Sequence, residues 1–159
     1  MSTHTSTVDA LAESHVPRRR QMQGRTRGAS LGLTANKTVD LVRQIEAGLP
    51  YKALLSLAAT SGLSVALIAS SLGIPERTLA RRRVAGRLAP NESERLLRVS
   101  TLFEKAAELF EGDVAGAVTW LTSPKRALGR QTPLAYSRTE PGAREVEDLI
   151  GRLEDGVFS

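Results

Sequence analysis

Apolar residues recur every three to four positions along most of the chain, the period of amphipathic α-helices. No stretch alternates between apolar and polar residues in the way that a β-strand bounded by hairpin turns would. Proline or a capping residue begins most of the periodic segments, and glycine ends most of them. The pattern predicts an all-α fold whose helices lie within residues 34–48, 50–62, 64–73, 75–86, 91–112, 113–121 and 139–156.

Within these segments the spacing also predicts which faces are buried. The first helix should bury Val39, Val42, Ile45 and Leu49. The longest helix should begin at Asn91 as its N-cap and bury a stripe that runs from Leu96 to Phe110. The last helix should follow Thr139 as its N-cap and bury Ala143, Val146, Leu149, Ile150 and Leu153.

One irregular stretch, "WLTSPKRALGRQTPL", separates the last two long helical segments. Its two prolines and its glycine exclude a single helix across residues 120–134. Thr132 and Pro133 are typical of an N-cap and first helical position, so a short turn of helix is expected there. Its large apolar residues should hold the loop to the core, and its cations should project from it. The expected anchors are Trp120, Leu121, Leu128 and Leu134, and the expected free cations are Lys125, Arg126 and Arg130.

Composition narrows the class of protein. The 159 residues include no cysteine, which excludes disulfides, thiolate metal sites and a cysteine nucleophile, and which favours the cytoplasm. No apolar run approaches the roughly 20 residues that span a bilayer, and the first residues lack the apolar core of a signal peptide, so no membrane association is expected. The two histidines, His4 and His15, lie in the polar N-terminal segment, and no phosphate loop or metal-ligand spacing occurs. The sequence therefore predicts a protein that is not an enzyme and holds no metal or other cofactor.

Charge is distributed unevenly along the chain. Residues 1–30 are rich in Ser, Thr, Gly and Arg and are predicted to form a disordered basic tail. This tail is either an arm that contacts DNA or a plain solvated tail. Residues 75–88 hold five arginines and one glutamate, whereas residues 143–159 hold five carboxylates and two arginines. Surfaces of opposite sign suggest two different partners, and a basic surface suits nucleic acid.

Residues 63–83 have the length pattern of a helix-turn-helix. Leu67, Ile68 and Leu72 should pack the first helix, and Gly73 permits the tight turn. The second helix carries four arginines within seven residues, and arginine can bind guanine through two hydrogen bonds. The alternative is a helical hairpin with a solvated arginine face. The predicted DNA-binding residues are Ser64, Arg77, Thr78, Arg81, Arg82, Arg83 and Arg87.

The C-terminal third resembles the toxin-binding domain of the Xre/MbcA/ParS antitoxins. The resemblance rests on "ALGRQTPL" after Trp-Leu and Pro, followed by "SRTEPGAREVEDLIGRLEDGVFS". The preceding "RTLARRRVAGRLAPNESERLLRV" resembles the part of those antitoxins that joins the helix-turn-helix to the toxin-binding domain. The resemblance covers roughly residues 35–159. It divides the chain into a tail (1–30), a helix-turn-helix and dimerisation domain (31–100) and a toxin-binding domain (101–159).

The resemblance implies a function that spacing alone does not. Members neutralise toxins with a RES domain, which consume NAD, by covering the active-site cleft, and the complex represses its own operon by binding operator DNA. They are all-helical dimers, which here implies a homodimer within a toxin–antitoxin complex. The residues expected to meet the toxin are Lys125, Arg126, Arg130, Glu145, Asp148, Glu154, Val157, Phe158 and Ser159.

The sequence also permits a second interpretation of the function. The chain could be a stand-alone helix-turn-helix regulator whose C-terminal helices only dimerise or bind a small ligand. A neighbouring gene for a RES-type protein distinguishes the two, because only an antitoxin needs one.

Overall fold

A computed structural model describes residues 27–156 of the chain. Eight α-helices and two short 3₁₀ helices form in this range, and no β-strand forms there. The prediction of an all-α fold is therefore confirmed. The α-helices are α1 (Thr38–Ala47), α2 (Tyr51–Ser61), α3 (Val65–Ser71), α4 (Glu76–Ala85), α5 (Pro90–Leu109), α6 (Val114–Leu121), α7 (Pro133–Tyr136) and α8 (Glu140–Glu154). The 3₁₀ helices are Ala29–Leu31 and Arg126–Leu128.

The long helix α5 is the central helix of the fold. It packs against α1 and α2 on the N-terminal side and against α6 and α8 on the C-terminal side. One continuous apolar core therefore runs through the described residues, and the predicted domain division after residue 100 falls inside α5. The segments before and after residue 100 are therefore joined by one helix and not by a linker.

The start of α5 differs from the prediction that Asn91 is its N-cap. The cap is Ala89, whose backbone N–H donates to Glu92 Oε2 at 2.8 Å. Pro90 occupies the first helical position, where its missing N–H costs nothing. A glutamate in the first turn thus does the capping that the sequence suggested for asparagine.

The buried face of α1 was predicted correctly at Ile45 and Leu49 and wrongly at Val39 and Val42. Val39 and Val42 are 58% and 45% exposed, whereas Leu41 is buried and Ile45 packs partly against the core. Leu41, Ile45 and the buried Leu49 are spaced four residues apart. The helix docks through that row, so the two valines face outward.

The segment before α1 is ordered where the structure describes it. The first 3₁₀ helix buries Ser30 and Leu31, and both the backbone N–H and the hydroxyl of Ser30 donate to Glu104 Oε1, at 2.9 and 2.7 Å. The predicted disorder of residues 1–30 is therefore wrong at its C-terminal end. Residues 1–26, with most of the proposed basic arm, lie outside the described range.

Within residues 27–156, no single helix is long and apolar enough to cross a membrane. Helices α2 and α3 together reach the required length and composition, but they bend by 113° at their junction.

Candidate functional site

Helices α3 and α4 form the predicted helix-turn-helix. Ser64 caps α3 by accepting a hydrogen bond from Leu67 N at 3.1 Å, and Gly73 takes the left-handed conformation (φ +69°) that closes the turn. Ile68 and Leu72 are buried as predicted, but Leu67 is 42% exposed. Leu67 lies on the solvent side of this short helix, so the packing face of α3 is narrower than predicted.

The outer face of α4 carries the basic candidates. No residue of α4 is buried, and only Leu79 packs partly against the core. Arg77 and Arg81 lie four residues apart on one exposed face, and Arg81 Nη2 donates to Thr78 Oγ1 at 3.3 Å. This contact orders the first turn of the helix, where base-reading side chains of a helix-turn-helix lie.

Val84 is a surface residue that the sequence analysis did not select. It is 89% exposed and follows Arg77 and Arg81 at helical spacing on the same face of α4. The signal was present in the sequence, because the spacing from Arg77 to Val84 is seven residues. An apolar group on such a face is suited to contact a thymine methyl group.

Arg82 does not project from α4 as predicted. Its Nε lies 2.9 Å and its Nη2 3.1 Å from the two carboxylate oxygens of the buried Glu92. Burial alone would raise the pKa of Glu92, but the Arg82 guanidinium and the Ala89 N–H lower it below its usual range. The pair fastens the second half of α4 to the start of α5.

Arg87 also makes contacts within the chain. Its Nη1 donates to the backbone oxygens of Ala47, at 3.2 Å, and Gly48, at 2.6 Å, and so caps the C-terminal end of α1. Arg82 and Arg87 therefore hold α4 in place instead of extending towards a partner. Arg83 is exposed.

Replacing Glu92 with alanine should reduce the free energy of unfolding by about 1–3 kcal/mol, because it removes both the ion pair and the cap of α5. A lowered carboxyl pKa stabilises the fold above the ordinary glutamate pKa, and that contribution is lost as the pH falls through the lowered value. The difference in the free energy of unfolding between wild type and variant should therefore become smaller in acid. Thermal unfolding between neutral and acidic pH measures both effects.

Glu94→Ala is the control for this prediction. Glu94 is exposed on the same helical turn and, among residues 27–156, forms an ion pair only with Arg98, four residues away. Such a surface pair contributes about 0.5 kcal/mol or less. Equal destabilisation by the two variants would contradict the role assigned to Glu92.

The irregular stretch between α6 and α7 is a closed loop. Lys125 N donates to Gln131 O at 3.0 Å, and Arg130 N donates back to Lys125 O at 2.9 Å. Gly129 and Arg130 both have positive φ, +61° and +66°. Leu121, Leu128 and Leu134 are buried, so these predicted anchors are confirmed.

The three cations of the loop are not equivalent. Arg126 and Arg130 are exposed at its tip, as predicted. Lys125 instead places its ammonium group 5.3 Å from the centre of the partly buried Trp120 ring, and burial lowers its pKa. Lys125 thus stabilises the loop from within.

The junction of α7 and α8 sets the direction of the last helix. Thr132 and Thr139 cap the two helices by accepting from Ala135 N and Gly142 N. Gly142 lies so close to the preceding turn that a Cβ there would stand 2.0 Å from Tyr136 O. The close approach brings Tyr136 OH within 3.1 Å of Glu145 Oε2, which raises the pKa of Tyr136.

The remaining acidic candidates lie along α8 and its end. Asp148 and Glu154 are exposed, as is Glu145. Ala143, Val146 and Ile150 face the core, while Leu149 and Leu153 are half-buried. Val157, Phe158 and Ser159 lie outside the described residues.

These features define a helix-turn-helix protein in which one helix, α5, joins the helix-turn-helix to a second, small helical domain. Two family models match along the chain in that order. An antitoxin Xre-like helix-turn-helix domain matches residues 40–100, and the antitoxin Xre/MbcA/ParS C-terminal toxin-binding domain matches residues 105–156.

Curated relatives agree with these matches. An antitoxin Xre of Yersinia enterocolitica is 42% identical over 130 residues, which cover 81% of this chain and 88% of that protein. An antitoxin Xre of Photorhabdus laumondii is 40% identical over 55% of this chain and 60% of its own length. One of Pseudomonas putida is 32% identical over 52% of each chain. The chain therefore belongs to the Xre antitoxin family.

Proposed function

We propose that this antitoxin neutralises a NAD-consuming toxin with a RES domain by covering its active-site cleft, and that it represses its own operon by binding operator DNA. The family, with its helix-turn-helix and toxin-binding domains, supports the general role. The observation that carries the proposal is that α5 joins two surfaces of different composition, one basic and one mixed. We place both activities, toxin neutralisation and operator binding, in the cytoplasm.

The exposed face of α4 supports the DNA part of the proposal. Arg77 and Arg81 present two unpaired guanidinium groups among the described residues, and Thr78 orients one of them. We assign base contacts to Arg77 and Arg81, and phosphate contacts to Arg83 and to Ser64 at the start of α3. Arg82 and Arg87 position α4 by their contacts within the chain.

The C-terminal surface supports the toxin part. Arg126 and Arg130 stand at the tip of a loop whose ends are hydrogen-bonded to each other, so they reach a partner with little loss of conformational entropy. Glu145 and Asp148 lie within about one turn of each other on the exposed side of α8, and Glu154 is exposed at its C-terminal end; these carboxylates suit a basic rim around a NAD site. The proposal assigns the cleft itself to the C-terminal residues Val157, Phe158 and Ser159.

We further propose that the antitoxin acts as a homodimer within the complex. Val39 and Val42 on α1 supply two outward apolar side chains one helical turn apart. A symmetric pair of α1 helices would bury them, and would set two α4 helices in position for two operator half-sites.

The proposal is tested in cells with the neighbouring toxin gene. Expression of the RES-domain protein alone should arrest growth, and co-expression of the full antitoxin should restore it. A chain that ends after Leu121 lacks the loop and α8 and should not restore growth. A harmless neighbour, or rescue by the shortened chain, would overturn the toxin-binding assignment.

Deletion of Val157, Phe158 and Ser159 tests the contribution of these three residues alone to toxin binding. Toxin affinity should fall at least about tenfold because a buried apolar pair contributes more than 1.4 kcal/mol. DNA affinity should stay unchanged, because the deletion leaves α3 and α4 intact. Calorimetric titration of the toxin with both chains provides the comparison, and full affinity of the truncated chain would remove these residues from the cleft.

A further inference from the structure

A polar groove of about 650 Å³ lies between the turn of the helix-turn-helix and the start of α8. Leu72 and Gly73 line one side, and Tyr136, Arg138 and Thr139 line the other. Arg95 of α5 forms part of the same wall. In this groove Arg138, which follows α7, lies beside Gly73 in the turn of the helix-turn-helix.

Two guanidinium groups converge in this groove. A methyl group placed on Gly73 would stand 3.6 Å from Arg138 Nη2 and 3.8 Å from Arg95 Nη1. Arg95 Nη1 also donates to Leu72 O at 3.1 Å, which fixes its position. Within residues 27–156 no carboxylate lies within ion-pair distance of Arg138, so its charge is not neutralised there.

The groove also contains a single carboxylate, Glu145, which accepts a hydrogen bond from Tyr136 OH. Two guanidinium groups against one carboxylate leave the groove positive. The ligand that such a groove fits is an anion with several acceptor oxygens, and a phosphate diester is one.

The position of Gly73 indicates which phosphate. Gly73 precedes Glu76, the first residue of α4, by three residues, and three residues span at most about 11 Å. Arg138 is therefore close to the end of α4 that enters the major groove in a docked helix-turn-helix. The major groove is about 12 Å wide, so a strand bordering it passes within reach of a cation at that distance.

We propose that Arg138, supported by Arg95, binds a phosphate of the DNA strand that borders the recognition site. The toxin-binding domain thereby contributes directly to the DNA interface. This inference rests on the proposed docking of α4 in operator DNA. It adds a contact that the helix-turn-helix alone does not contain.

The test measures DNA affinity by fluorescence anisotropy over a range of salt concentrations. The probes are a duplex carrying the promoter region of the antitoxin's own gene and a random-sequence duplex of equal length. Arg138→Ala should weaken binding to both duplexes by a similar factor, about threefold to tenfold in low salt, and should reduce the salt slope by about 0.9. Arg138→Lys should keep most of the slope, because a phosphate contact needs mainly the charge.

Arg152→Ala is the matched control. Arg152 is exposed in the last turn of α8, so its loss changes the net charge equally without touching the groove. Equal slopes for Arg138→Ala and Arg152→Ala would overturn the inference. Loss of toxin affinity by Arg138→Ala with unchanged DNA binding would overturn it too and would assign the groove to the toxin.

The double variant Arg77→Ala, Arg81→Ala separates this inference from the proposed function. If it loses preference for the promoter duplex while Arg138→Ala behaves like Arg152→Ala, only the phosphate contact fails. If it binds both duplexes like the wild type, α4 is not the recognition helix, and both this inference and the DNA-binding part of the proposed function fail.

Discussion

Replacing Gly142 with alanine should abolish toxin binding and should weaken DNA binding only by about the factor expected for Arg138→Ala, because Arg138 and Gly142 line the same groove. The added Cβ would stand 2.0 Å from Tyr136 O, a backbone atom that cannot move without displacing α7. Relief of this clash requires α8 to shift, which displaces Glu145 and Asp148 from their positions. Overpacking of this kind costs about 1–3 kcal/mol, and a backbone clash belongs at the upper end of that range. The melting temperature should fall by about 10 °C.

Gly151 provides the control within the same helix. It lies inside α8, and a Cβ there would meet no atom within 4 Å. Gly151→Ala should therefore leave the fold unchanged or stabilise it by up to about 1 kcal/mol through helix propensity. Thermal unfolding and calorimetric titration with the toxin compare the two variants. Wild-type toxin affinity for Gly142→Ala would show that the α7–α8 junction does not set the binding surface.

The double variant Arg77→Ala, Arg81→Ala should lose operator binding and keep toxin neutralisation. Each bidentate arginine contact to guanine discriminates by about 1–3 kcal/mol, so the loss of two should reduce specific affinity at least about thirtyfold. Stability should change little, because both side chains are exposed and neither packs in the core. A gel-shift titration at moderate salt measures the affinity.

The reciprocal variant, Arg126→Ala with Arg130→Ala, removes the same charge from the other surface. It should weaken toxin binding and leave operator binding close to that of the wild type, because neither side chain lines the groove beside the helix-turn-helix. Two variants with opposite losses would demonstrate that the surfaces act separately. Loss of both activities in either double variant would contradict that separation.

The helical periodicity, the glycine turn and N-caps such as Thr132 and Thr139 were predictable because they depend on neighbours in the sequence. Ser64, Thr132 and Thr139 each accept a hydrogen bond from a backbone N–H three residues ahead. Such local contacts need no knowledge of the rest of the fold. The buried leucines of the loop were also predictable, because large apolar residues that stand alone in a polar stretch are usually buried in the core.

Contacts between distant segments were not predictable. Arg82 had the spacing of a DNA contact, but Glu92 lies ten residues away across the turn before α5 and captures its guanidinium. Val39 and Val42 fit one helical stripe, whereas Leu41 and Ile45 fit another, and only the position of α5 decides between them. The order of residues 27–31 likewise depends on Glu104, seventy-four residues from Ser30.

Lys125 illustrates the same limit within a short segment. Its charge and its place beside Arg126 marked it as a free cation, yet the hydrogen bonds that close the loop turn it onto Trp120. The pairing of Lys125 with Gln131 depends on two successive positive φ angles, one of them at the non-glycine residue Arg130. The sequence contains no local signal for that conformation at an arginine.

We expect the C-terminal domain to stop a RES-domain toxin from consuming NAD by covering its active site. The most direct test mixes the purified neighbour-encoded toxin with increasing amounts of the full antitoxin and follows NAD consumption. We expect consumption to cease when every toxin molecule is bound, and to persist with the chain that ends after Leu121. A saturated complex that still consumes NAD at the rate of the free toxin would contradict the account.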